Sequence, residues 1–113
     1  MISKAIARFQ RISPRKARMI ADLVRGRDAA EAIQLLDFTP KAGAPVVKKL
    51  IESALANARA QAPNVDPEEL FVSLAAVDKG PNQHMRRWRP RAQGRATRIV
   101  KGVSHIVIEL DQR

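Results

Sequence analysis

The sequence predicts an α+β fold: a three-helix body packed on a small antiparallel sheet, with a long protruding β-hairpin. Three observations predict it. Helical signals follow one another from Ser13 to Ala58. Two runs rich in branched residues, Leu70–Val77 and Val103–Leu110, then read as strands. Between them lies a segment, Lys79–Lys101, that holds eight of the 21 Lys and Arg residues and no Asp or Glu. A chain of 113 residues has material for one modest core. The expected organisation is therefore a single domain over 1–113, with its body at about 1–78 and 102–113 and an extended basic hairpin at about 79–101.

Residues 2–9 (ISKAIARF) alternate loosely and are expected to form a strand. Ser13 has the character of an N-cap, and Pro14 suits the first helical position, where its missing N–H leaves nothing unpaired. Ala17, Ile20, Ala21 and Val24 then fall on one helical stripe, with Arg15, Arg18, Asp22 and Arg25 on the other. Gly26 is the natural stop. Asp28 with Glu31 resembles a capping box opening a second helix that carries Ala32, Ile33, Leu35 and Leu36. Thr39-Pro40 opens a third segment, whose stripe of Val47, Leu50, Ile51, Ala54, Leu55 and Ala58 is the clearest helical period in the chain. Pro45 means either that the regular helix begins there or that its first turn is distorted. Pro63 and Pro67 bracket a polar connection before the two strand signals. In the second strand Ser104, Ile106, Ile108 and Leu110 share one face.

If the two strands pair antiparallel, the basic segment becomes a hairpin with its tip near Pro90–Arg95. About a dozen residues at about 3.3 Å each give an arm of roughly 35–40 Å, against a radius of gyration of about 13 Å for a compact domain of this size. Two-stranded ribbons are marginal in water, and Pro81 and Pro90 each remove a backbone donor. Ordering such a segment costs roughly 1 kcal/mol or more per residue. An enclosing polyanion offsets that cost, and a small contact patch does not. If all eight cations met phosphate, the log–log salt slope would approach about −5 to −6.

The formal net charge is +10. Residues 1–27 hold eight Lys and Arg against Asp22 alone, while 28–78 are mildly acidic. Clustered arginine at this net charge points to nucleic acid. The chain contains no cysteine, so disulfides and thiolate metal sites are excluded. No apolar run approaches the roughly 18 residues of a membrane span. Residues 1–21 are Arg-rich and acid-free and superficially resemble a transit peptide, whereas Ser13-Pro14 reads as a structured helix start. Asp66, Glu68 and Glu69 surround Pro67 and read as turn charges, and His105 reads as a packed strand residue. No catalytic constellation, metal site or cofactor site is expected.

In Arg86-Arg87-Trp88-Arg89 an indole lies among guanidinium groups, which suits phosphate contact and base stacking. Trp88 could instead anchor the hairpin on its own body or lie solvated in a charge run. A cationic membrane-surface segment would have only Met85 and Trp88 as apolar anchors. The candidate RNA-binding residues are Arg11, Arg15, Lys16, Arg18 and Arg25 around the first helix, and Lys79, Arg86, Arg87, Trp88, Arg89, Arg91, Arg95, Arg98 and Lys101 along the hairpin. The first helix could equally present an ordinary solvated face.

Arg11-Ile-Ser-Pro-Arg-Lys-Ala-Arg18, Ala21-Asp-Leu-Val-Arg-Gly26, Leu50-Ile-Glu-Ser-Ala-Leu-Ala-Asn-Ala58, Pro90-Arg-Ala-Gln-Gly-Arg-Ala96 and Ser104-His105 closely resemble the bacterial ribosomal protein twenty-two family of the large subunit. The resemblance runs in order from about residue 3 to 110. It implies a small α+β body seated on large-subunit ribosomal RNA and a hairpin lining the nascent-peptide exit tunnel, together with a role in subunit assembly. The implied tunnel-lining tip is Arg87, Trp88, Arg89, Pro90, Arg91, Ala92, Gln93, Gly94, Arg95 and Ala96. The implied partners are large-subunit ribosomal RNA, neighbouring ribosomal proteins including ribosomal protein four across the tunnel, and the nascent peptide, with no membrane and no homo-oligomer. The implied location is a cytoplasmic ribosome, and an organellar one stays open.

Two departures stand out. Eight residues, NQHMRRWR, separate Gly80-Pro81 from Pro90 where the family usually has about six, which implies a longer or bulged tip. Lys101-Gly102-Val103 stands where a second basic residue and a Thr are common, which implies weaker RNA contact there. The rival expectation is a winged-helix-like DNA-binding protein, whose recognition helix would present Lys48, Lys49, Asn57 and Arg59.

Overall fold

The computed structural model describes residues 2–80 and 102–113 in full, and the backbone of 87–90 and 96–99. The elements run β1 (Ser3–Gln10), α1 (Pro14–Val24), α2 (Ala29–Asp37), α3 (Ala44–Gln61), a 3-10 turn (Pro67–Glu69), β2 (Leu70–Lys79), β3 (Arg87–Pro90), β4 (Ala96–Ile99) and β5 (Ser104–Gln112). The main sheet is antiparallel, in the order β1-β5-β2. The last strand is therefore the central one. Its alternation explains why: Ser104, Ile106, Ile108 and Leu110 are all fully buried against the helices, while the residues between them face the opposite side of the pleat.

β1 pairs with β5 from Ser3↔Leu110 to Ala7↔Ile106, then shifts register before Gln10↔Ser104. That irregularity is why its period-2 signal is loose. Phe9 sits there with φ 56°, a left-handed conformation that costs a side-chain-bearing residue about 1–2 kcal/mol. β2 pairs with β5 on the other side through Lys79↔Ser104, with a second irregularity between Val72 and Leu74.

α1 begins as expected: the Ser13 Oγ accepts from the Lys16 N–H at 3.3 Å. It ends before Gly26, whose φ of +83° is the left-handed conformation glycine adopts without strain. Its buried residues are the expected stripe of Ala17, Ile20, Ala21 and Val24. α2 also starts at the expected place, but the capping box does not form. Asp28 makes no side-chain cap and instead accepts from Arg113 Nε at 2.7 Å, while Glu31 accepts from Arg27 Nη1 at 2.7 Å. Both carboxylates are held instead in charge-assisted bonds to guanidinium groups. α3 begins at Ala44, with Pro45 within its first turn, so the helix is regular from there and loses no internal hydrogen bond.

The core lies between the three helices and the inner face of the sheet, built around Val24, Val47, Ile51, Val72, Ile106, Ile108 and Leu110. Two serines are buried in it, and each has a partner. Ser3 Oγ donates to the Ala54 carbonyl at 2.8 Å, and Ser104 Oγ donates to the Ile12 carbonyl at 2.6 Å. β3 and β4 form a separate antiparallel pair, Arg87↔Ile99 through Pro90↔Ala96, in the expected hairpin sense. The principal extents are 66 × 25 × 16 Å, and the radius of gyration is 17.1 Å, longer than a compact chain of this size.

Candidate nucleic-acid interface

The cations of the first helix divide into two groups. Arg18 donates from Nε and Nη2 to the Val77 carbonyl at 3.3 and 3.2 Å. Arg25 donates to the Ala75 carbonyl and pairs with Asp22. Both carbonyls lie on β2, an outer strand of the sheet. Farther along, Gly26 N–H donates to Val72 O and Val72 N–H to Arg27 O, each at 2.9 Å. The backbone after α1 and two of its arginines thus cover the free edge of β2, which blunts it as a template for another strand. Each guanidinium keeps further N–H groups for other acceptors, but its position is set by the body.

Arg11, Arg15 and Lys16 form the second group. All three are exposed, and none has an ion-pair partner among the described residues. Arg11 and Lys16 rim a cleft between the start of α1 and the loop before α3. Lys41 completes that rim. It is absent from the sequence-based set because its only local signal is a position after Thr39-Pro40; its nearness to Lys16 is a tertiary fact.

The root of the basic segment abuts this region. Lys79 is exposed at the end of β2, and Gly80 N–H donates to the Val103 carbonyl at 2.7 Å. A Cβ at Gly80 would lie 2.9 Å from Val103 Cγ1 and 3.2 Å from His105 Nε2. On the returning arm, a Cβ at Gly102 would lie 2.7 Å from Ser13 Cα. The N-cap of α1 and the base of the basic segment are thus packed together, which brings Arg11, Arg15 and Lys16 to the same end of the body as Lys79. His105 is a packed strand residue, as expected: its Nδ1 accepts from the Phe9 N–H at 3.1 Å, and the two rings meet edge to face at 4.8 Å. This bond helps hold Phe9 in its left-handed conformation.

Of the candidate hairpin residues, Arg86, Arg91, Ala92, Gln93, Gly94, Arg95 and Lys101 lie outside the described residues. So do the side chains of Arg87, Trp88, Arg89, Pro90, Ala96 and Arg98, whose backbones belong to β3 and β4. Among the described residues, no group of His, Asp and Glu could hold a metal ion, and no helix is long and apolar enough to cross a membrane.

The surface of α3 does not suit a DNA-recognition helix. Lys48 pairs with Asp37 and, at 4.0 Å, with Glu52. The Asp37 hydrogen bond raises the Lys48 pKa above its ordinary 10.5, opposed by desolvation and aided by the charges of Asp37 and Glu52. Asn57 Nδ2 donates to the Lys4 carbonyl at 3.0 Å. Two of the four residues such a helix would present are therefore engaged with the body.

The family model described as ribosomal protein L22p/L17e matches residues 5–111. The large ribosomal subunit protein uL22 of Sorangium cellulosum is 72% identical over 113 residues, spanning 100% of this chain and 99% of that protein. The protein of the same name from Syntrophobacter fumaroxidans is 49% identical over 110 residues, spanning 97% of each. That from Desulfotalea psychrophila is 48% identical over 112 residues, spanning 99% of each. With nearly its whole length matched, from the strand before the first helix to the last strand of the sheet, this chain belongs to the ribosomal protein L22p/L17e family.

Proposed function

We propose that this chain binds large-subunit ribosomal RNA through two linked basic regions, assists assembly of the subunit, and lines the nascent-peptide exit tunnel with its 79–101 hairpin. Membership of the family makes it a structural, non-catalytic protein of the large ribosomal subunit, at work on the cytoplasmic ribosome. The finer reading rests on one observation above the rest: a segment with eight cations and no acid is rooted on a folded sheet beside the exposed Arg11, Arg15 and Lys16. Such a segment has no partner of opposite charge within itself, and RNA phosphates supply one along its whole length. In this division of labour, residues 1–78 and 102–113 are the seat and 79–101 the arm. Arg87–Ala96 forms the tip, facing ribosomal protein four and the nascent peptide.

The test is sedimentation with large subunits after a high-salt wash, followed by cross-linking from position 92 to a stalled nascent chain. The reading predicts that the protein stays with the subunit and that the cross-link forms. Release of the protein by the wash, or a preference for duplex DNA over structured ribosomal RNA in direct competition, would overturn the RNA reading. Retention without a cross-link would overturn the tunnel assignment alone.

A further inference from the structure

A continuous basic surface would suffice to hold phosphate, yet the cations beside α1 surround a hollow. The cleft between α1 and the loop before α3 has a volume of about 490 Å³, within the roughly 300–1,000 Å³ typical of sites that enclose a small ligand. Its rim is cationic, with Arg11, Lys16 and Lys41, and its apolar lining includes Ile12, Met19 and Pro40. No acidic residue lines it among the described residues. The loop wall is braced from behind: Gly43 lies so close to Ile20 that a Cβ there would fall 2.6 Å from Ile20 Cδ1 and 3.3 Å from Ile12 Cδ1. Ile20 is itself only 2% exposed, so the wall rests on the core. Met19, by contrast, is 56% exposed, an apolar side chain held open to solvent among cations.

We propose that this cleft receives one unstacked nucleotide of ribosomal RNA, a reading that rests on the RNA-binding function proposed above. The apolar lining takes the face of the base, and the three cations hold the phosphates on either side. A paired base in an A-form helix presents no free face, whereas single-stranded loops and bulges offer splayed bases to apolar side chains. Methionine suits the contact because its thioether is polarisable and adapts to a flat aromatic surface. The absence of acid from the lining disfavours a cationic or strongly basic occupant.

The experiment uses the full chain bound to a large-subunit RNA transcript, with base-edge chemical probing and affinity measured across a salt series. Met19→Ser removes the apolar contact at an exposed position without changing charge, and circular dichroism checks that the variant is folded. The expected result is a loss of up to about tenfold in affinity, in keeping with a single thioether–aromatic contact, at an unchanged salt slope. One base protected in the wild-type complex should become reactive again. Lys41→Ala should instead make the slope shallower by about 0.7, the share of one phosphate contact. If Met19→Ser binds and protects like the wild type while Lys41→Ala changes the slope, the cleft is a phosphate site only and the proposal fails. It also fails if Met19→Ser leaves the RNA footprint intact but loses a neighbouring protein from reconstituted subunits. Lack of selective RNA binding by the wild type would instead overturn the function on which the proposal rests.

Discussion

The arginines of α1 and those of the 79–101 segment carry the same charge in different company. Around α1, Arg18 and Arg25 reach β2 carbonyls, and Arg27 donates to Leu23 O and to Glu31. These cations help build the body. Residues 79–101 contain no acid at all. Positive charge in a sequence is thus two things at once, a structural fastener and a contact for a polyanion. Which one it becomes depends on whether carbonyls or carboxylates lie within reach.

Neutralising the hairpin tests this contrast at its strongest. Changing Arg86, Arg87, Arg89, Arg91, Arg95 and Arg98 together to Gln should make the log–log salt slope of RNA binding shallower by about 4 and lower affinity by orders of magnitude. Thermal melting of the body should not change if the segment serves only as a contact for a polyanion. A lower melting temperature would mean that the hairpin also acts as a fastener.

The converse experiment addresses α1. Arg18→Ala and Arg25→Ala should each cost about 1 kcal/mol of folding stability, the usual worth of a hydrogen bond to a partly buried carbonyl, read by urea denaturation. Arg15→Ala should leave stability within about 0.5 kcal/mol, as expected for a surface change, and weaken RNA binding instead. Equal effects of all three on both measurements would erase the distinction.

The smallest effect belongs to Lys48. Its folded pKa lies above 10.5, so its pairing with Asp37 favours the folded state wherever the lysine is protonated. That stabilisation is fully present below the unfolded value and is lost as pH rises through the folded value. The stability of wild type relative to Lys48→Met should therefore be flat from neutral pH to about 10 and decline above it. A difference that grows with alkalinity would contradict the assignment.

The elements that were legible in the sequence are those whose causes are local. Ser13, Pro14 and Gly26 bound α1 through their own backbone preferences. Ile106, Ile108 and Leu110 declare a buried strand face by their spacing. The capping box at Asp28 fails in part for the opposite reason: Glu31 is held by the local Arg27, but the partner of Asp28 is Arg113, 85 residues away. The presence of Lys41 and Lys16 on the rim of one cleft, and the closeness of Gly102 to Ser13, were equally invisible, because each depends on segments brought together only by folding.

The sequence by itself determined the class of fold, the positions of helices and strands, and the unbalanced positive charge of 79–101. Local periodicity, capping chemistry and charge density are properties of neighbouring residues. The tertiary structure decided the rest: the central place of β5, the use of Arg18 and Arg25 to cover β2, and the closeness of Arg11, Arg15 and Lys16 to the root of the basic segment. These outcomes follow from which backbone groups and surfaces must be buried together, and only the packed chain answers that question.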